Sequence, residues 1–211
     1  NMSRDEENEY FADGLSEELL NVLAKIKGLR VASRTSAFSF KGVRTDTPTI
    51  AQKLGVAHLL EGSVRKSGNR VRITAQLIEV ATDSHLWSET YDRELTDIFA
   101  VQDDIAQSVV IELRRALFDM KSAAPREDAI ASEVAHAAQG RGGDAVAYEL
   151  YLEGRSRLNR VAKEDNDRAI ELFGQAVALP PDFALAWAAL SQAHSQSVAA
   201  GWGMPAEVYG P

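Results

Sequence analysis

HLLEGSVRKSGNRVRITAQLIEV, residues 58–80, alternates apolar and polar side chains on either side of Ser67-Gly68-Asn69. A period of two, established from Val56 onward, puts successive side chains on opposite faces of an extended chain, and a Ser-Gly-Asn step is a tight-turn signal. In the second run Val71, Ile73, Ala75 and Leu77 share one face, and Arg70, Arg72, Thr74 and Gln76 share the other. ATDS (81–84) supplies another turn, and HLWSETYDREL (85–95) reads as a third strand with Trp87 and Tyr91 on one side. The pattern predicts a meander of three antiparallel strands.

Helical periods surround it. Upstream, LSEELLNVLAKIK (15–27) carries Leu15, Leu19, Val22, Leu23 and Ile26 at helical spacing, with Ser16 as N-cap and Gly28 as stop. LRVASRTS (29–36) reads as a short strand. TPTIAQKLG (47–55) reads as a compact helix with Thr47 as N-cap, Pro48 at the first helical position and Gly55 as terminator. Downstream, LTDIFAVQDDIAQSVVIELRRALFDM (95–120) repeats Val101, Ile105, Val109, Leu113 and Leu117 every four residues, with Ile98 on the same side. Thr96 or Asp97 would cap this helix, which should lie across one face of the sheet.

Beyond it, residues 120–143 are rich in Ala and Gly and read as a linker, partly helical or mobile, between a domain at 1–119 and a helical segment at 144–211. In that segment AVAYELYLEGRSRLNR (145–160) and DNDRAIELFGQAVAL (165–179) form a helix pair, and PPDFALAWAALSQAH (180–194) opens another helix. Ala169, Phe173, Ala176 and Pro181 match second-helix and boundary positions of a tetratricopeptide repeat. Trp187, Leu190 and Ala193 match the first helix of the next, and Gly154 fits the small position of the preceding first helix. Small residues belong there because the helices cross closely, while the aromatic fills the groove. A generic helical hairpin is the competing reading. One repeat and part of another make an incomplete array, with more repeats expected in a parent chain.

Composition narrows the function classes. The chain has 211 residues, 45% of them hydrophobic, enough for one large domain or two small ones. Its net charge of −8 repels polyphosphate at long range, so direct nucleic-acid binding would need a strong local patch. No cysteine is present, which excludes disulfides, thiolate zinc sites and cysteine nucleophiles. No stretch reaches the ~20 apolar residues of a membrane span, and NMSRDEENEY (1–10) is polar and acidic, neither signal peptide nor anchor.

Arg65, Lys66, Arg70 and Arg72 crowd one hairpin and raise the question of a phosphate grip. No aromatic side chain alternates with them to stack a base, and charge on exposed strands discourages edge pairing, so the solvated-strand reading is preferred. QGRGGDA (139–145) lacks the Lys-Ser/Thr ending of a phosphate-binding loop. SRTSAFSFKG (33–42) holds hydroxyls and Lys41 after the expected strand; it could cradle an anion, but Phe38 and Phe40 returning to the core is the simpler reading. His58, His85, His136 and His194 have no metal-ligand spacing, and Glu17-Glu18 and Asp103-Asp104 point about 100° apart on helices. Asp92 reads as part of a solvated strand end. There is no Gly-x-Ser-x-Gly elbow. No catalytic residue, metal site or cofactor is expected.

The blocks EYFADGLSEELLNVLAKIKGLRVASRTSAFSFKG, IAQKLGVAHLLEGSVRKSGNRVRITAQLIEVATDSHLWSETYDREL and DIFAVQDDIAQSVV closely resemble the TolB-amino-terminal-like domain, related to FlgO and CsgG-type modules, over residues 1–118. In that family the domain precedes tetratricopeptide repeats and commonly follows an adenylate or guanylate cyclase domain or a CadC-like winged helix, often with a membrane span between. The resemblance implies an α+β fold, with a mixed or antiparallel sheet and helices, followed by all-α repeats. It implies a non-catalytic regulatory or sensory module of a larger bacterial signalling protein that holds a protein or peptide in its repeat groove. It also implies placement in the periplasmic part of a membrane-tethered regulator rather than the cytoplasm. The family pattern opens with a strand ending LPF that is absent before Asn1; the sheet is therefore expected to have a gap that a second protomer could fill as a homodimer. The alternative is a binder of a small anionic ligand or nucleotide at the Ser33–Lys41 loop, lined by Arg34, Thr35, Ser36 and Lys41.

Overall fold

The computed structural model describes residues 9–117 and 127–202. They form a three-stranded antiparallel sheet with eight helices, an α+β protein. Two compact units divide it: one holds Leu15–Ala138, the other Glu9–Gly14 together with residues from Gln139 onward. The first part of the expected linker, residues 120–126, and the last nine residues of the helical segment lie outside the described residues.

In the first unit, β1 (His58–Ser67), β2 (Arg70–Glu79) and β3 (Ser84–Glu94) form the predicted meander in the order β1-β2-β3. The two-residue turn at Gly68-Asn69 fixes the register, with Val64 opposite Ile73 and Ile73 opposite Tyr91. Val71, Ile73, Ala75 and Leu77 are buried as the alternation requires, and Arg70 and Arg72 are exposed. Gly62 is needed for packing: a Cβ there would run into the Thr74 carbonyl of the neighbouring strand. A 3-10 turn at Leu95–Asp97 leads into α4 (Ile98–Leu117), which packs against β3. Thr96 and Asp97 therefore sit inside that turn rather than capping the helix. Ile98, Val101, Ile105 and Val109 are buried along α4, and each such side chain contributes about 1.5–3 kcal/mol on burial.

Several expectations are corrected. The first helix, α1 (Glu9–Ala24), starts six residues before the expected Leu15, so Ser16 is an exposed mid-helix residue and no cap. The apolar stripe of Leu15, Leu19 and Val22 extends back to Phe11 at the same four-residue step, which carries the helix upstream. No strand forms at 29–36. Leu29–Ser33 is neither helix nor strand, and Ser33 instead caps α2 (Arg34–Phe38) by accepting from the Ser36 N–H at 3.2 Å. A strand exists only where a neighbour takes its hydrogen bonds, and among the described residues none does. Phe38 and Phe40 are half-buried and do not reach the core. In α3 (Thr47–Leu54) the cap is Asp46, which accepts from Thr49 N–H at 2.8 Å, and Pro48 takes the second helical position. Gly55 ends it at φ +66°, as expected.

Within the stretch expected as linker lies α5 (Glu127–Ala137), packed on α4 through Ile130, Val134 and Ala137. Glu133 on α5 accepts from Lys27 N–H at 2.8 Å and from Arg114 at 2.7 Å, and Lys25 Nζ donates to the Ala137 carbonyl at 2.8 Å. Three polar ties and an i, i+4, i+7 apolar stripe are enough to dock a helix whose composition is dominated by Ala.

In the second unit α6 (Ala145–Leu158), α7 (Lys163–Ala178) and α8 (Ala184–Ala199) pack in sequence. Tyr151 sits between Phe173 and Phe183, with ring centroids at 6.1 and 5.2 Å. Asn166, 1% exposed, ties α7 to α8 by donating to Ser197 Oγ at 2.7 Å and to the Ala193 carbonyl at 3.3 Å. Among the described residues no helix is long and apolar enough to cross a membrane.

Candidate functional site

The residues of the Ser33–Lys41 loop lie on α2 and the turn that follows it. The Arg34 guanidinium meets Glu17, 7% exposed, at 2.7 Å and lies 4.7 Å over the Phe38 ring. Ser36 donates its N–H to Ser33 and its carbonyl accepts from Ser39 Oγ. Thr35 is exposed, its carbonyl accepting from Ser39 N–H, and Lys41 is exposed at the far end of the loop. The four residues named from sequence are thus spread over α2 and the turn after it, and the strongest cation among them faces a buried carboxylate.

On the hairpin, Asp92 of β3 accepts from Arg70 at 2.6 Å and from Arg72 at 2.5 Å. Those two hydrogen bonds and charges hold the Asp92 carboxyl below the usual carboxylate range. The outer face continues with Thr74 paired to Thr90 and Gln76 to Ser88. These are cross-strand pairs of a solvated sheet face. On the other face burial, then the charge of Glu89, pushes the Tyr91 phenol up to about 12, so it stays a donor to Glu89 at every ordinary pH.

The residues singled out for helix packing fall into two groups. Gly154, Ala169, Phe173 and Ala176 meet at the α6–α7 crossing, all buried; a Cβ on Gly154 would stand 2.6 Å from Phe173 Cε1. Pro181 and Trp187 lie at the α7–α8 turn, where Trp187 Nε1 donates to the Pro181 carbonyl at 3.1 Å. Trp187 is 50% exposed, and Leu190 is half-buried on α8.

The polar hubs Glu17, Asp92, Glu133 and Asn166 were not singled out from sequence as anchors. Asp92 was within reach, since placing it opposite Arg72 follows from the hairpin register; the other three depend on contacts between distant segments. Among the described residues no group of His, Asp and Glu is arranged to hold a metal ion.

Fold and site together define an α+β unit with a helical unit, in which the resolved polar geometry ties elements to one another. No family model matches the chain. It is similar to "Putative adenylate cyclase 3" of Rhizobium meliloti (strain 1021), with 39% identity over 192 residues. That match takes in 90% of this chain and 30% of the relative, so the chain spans less than a third of the length of the curated protein it matches.

Proposed function

We propose that this chain is a regulatory, protein-holding segment of a signalling protein of the adenylate cyclase type, without catalytic residues of its own. The observation that carries this reading is the proportion of the match: nearly all of this chain aligns with under a third of a protein named as a cyclase. The remaining length of that relative is ample for a catalytic domain, while the aligned part brings together packing and capping groups. The α6–α7–α8 unit is the part that would hold a protein or peptide, with Gly154 and Phe173 setting the crossing that shapes its surface. The tetratricopeptide reading of that unit and the TolB-like reading of the sheet unit belong to this proposal.

Deleting the aligned 192 residues from the Rhizobium relative and following cyclic AMP formation from ATP tests it. The expected result is a protein that still turns over ATP but with an altered response to cellular stimuli. Loss of turnover in a folded deletion protein, restored by adding this chain with an intact Asp or Glu and not with its point variant, would place catalysis here and end the proposal.

A further inference from the structure

The face of the sheet opposite the buried Val71, Ile73 and Tyr91 is ordered in rows by the strand register. One row holds Arg65 of β1, Arg72 of β2 and Asp92 of β3; its neighbours hold Ser67, Arg70 and Glu94 on one side and Ser63, Thr74 and Thr90 on the other. Directly opposed side chains start about 5 Å apart, where opposite charges attract and like charges repel. Arg65 and Arg72 are therefore an unfavourable pair, and both carboxylates of these rows lie beyond them on β3. Asp92 takes Arg70 Nη2 on Oδ1 at 2.6 Å, and Arg72 Nε and Nη2 on Oδ2 at 3.2 and 2.5 Å. Nη1 of Arg72 makes no hydrogen bond among the described residues. Arg65 is exposed and has neither hydrogen bond nor ion pair among them. Uncompensated positive charge thus gathers where β1 meets β2, beside a guanidinium that Asp92 already holds in place.

We propose that the Arg65–Arg72 pair, with Arg72 braced by Asp92, receives the phosphate group of a phosphorylated side chain on a partner polypeptide. A phosphate monoester carries nearly two charges and three terminal oxygens at pH 7, enough to answer two guanidiniums at once, whereas a carboxylate brings one charge and two oxygens. Asp92 and Glu94 in the same rows repel a continuous polyanion or an anionic membrane, so an isolated phosphate is favoured over either. The face is a flat sheet surface, and the hydroxyls of Ser63, Thr74 and Thr90 in the next row offer hydrogen bonds to the backbone of a presenting peptide. This site is on the sheet unit and goes beyond the function proposed for the helical unit.

The test follows amide and arginine Nε–H resonances of the full chain by NMR while blocked Ala-Val-pSer-Val-Ala is added. Signals of Arg65 and Arg72 should shift with saturation, the unphosphorylated peptide should leave them in place, and inorganic phosphate should need at least a tenfold higher concentration. Arg65→Gln, which removes the like-charge pair, should fold at least as stably as the parent and bind the phosphopeptide at least tenfold more weakly. Arg65→Lys keeps the charge without the planar fork and should fall between the two. Asp92→Asn separates a built site from a patch of charge: it removes a negative charge, so simple attraction predicts tighter binding, whereas loss of the brace on Arg72 predicts weaker binding. Unchanged or tighter binding in Asp92→Asn overturns the proposal, as does equal response to the phosphorylated and plain peptides or to neither. Inorganic phosphate binding as tightly as the peptide would assign the site to a free anion. Tighter binding of a heparin fragment, or of vesicles of phosphatidylcholine and phosphatidylserine, would assign it to a polyanion or a membrane; each of these results ends the proposal too.

Discussion

At Gly154 one methyl group would force two helices apart. Its Cβ would come within 2.6 Å of Cε1 and 2.8 Å of Cδ1 of Phe173, a ring wholly buried and held beside Tyr151. Neither the ring nor the α6 backbone can give way freely in a close-packed interior. Gly154→Ala should therefore lower stability by about 1–3 kcal/mol, the usual cost of overpacking, in spite of the better helix propensity of Ala. Urea unfolding followed by circular dichroism reads this directly, and F173L should recover part of the loss in the double variant. An unchanged midpoint would mean that the crossing is looser than the geometry says. Glu17 poses the converse case, a charge whose partner must stay. Glu17→Gln keeps the shape and one acceptor but drops the ionic part of the 2.7 Å contact with Arg34, a charge-assisted bond. With Arg34 about a third exposed to water, the expected loss is about 1 kcal/mol, seen as a lower urea midpoint with the same slope.

Elements show where sequence reasoning reached and where it stopped. β2 and β3 were legible because a period of two and a Gly-Asn turn are properties of neighbouring residues, and α4 because its stripe repeats over five turns. The strand expected at 29–36 failed for a different reason: strand propensity counts only when another backbone accepts the ladder, and that lies in residues far away in sequence. α5 was legible only as partial helix within a linker, not as a docked element, because its apolar content is one Ile, one Val and small Ala residues, while its anchors, Lys25, Lys27 and Arg114, lie elsewhere in the chain. Those anchors give α5 a pH signature. Burial pushes the Glu133 carboxyl up, but the Lys27 N–H and the Arg114 guanidinium outweigh it and hold the group below its ordinary value. A depressed folded-state pKa means that the stabilisation is complete above the unfolded value near 4.3 and is lost as pH falls through the folded one. Exchange at α5 amides should accordingly quicken, relative to α4, only below about pH 4. Glu133→Gln should be less well protected at pH 7 and show no such acid step. An identical acid step in that variant would assign it to another carboxylate. For the candidate site the legible part was the helix-packing set, because small and aromatic residues at helical spacing are local facts. The pairing of Arg34 with Glu17 joins residues seventeen apart across a non-helical break and leaves no local pattern.

For the whole molecule, burial and charge are unevenly distributed, and stability should follow. β2, α4 and the α6–α7 pair each carry several side chains at or below 4% exposure, among them Val71, Ile105, Tyr148 and Phe173. Between Gly28 and Ser63 Ala51 stands at 3%, and the rest of the segment is half-covered or exposed while carrying most of an excess of positive charge. Opening that segment exposes little new apolar surface and relieves repulsion among its cations, so its local opening free energy must lie well below that of the sheet and of the helical unit. Native-state hydrogen exchange should resolve this as a hierarchy: amides of 29–57 exchanging at least a hundredfold faster than those of β2 and α4, a gap of about 2.7 kcal/mol, with the helical α3 slowest within the segment. Raising the salt concentration should narrow the gap, because screening removes the repulsive part and leaves the missing burial. If 29–57 instead exchanged as slowly as β2 in the free chain, some cover would already lie over α2 and α3. The charge excess of that segment would then be balanced by whatever covers it.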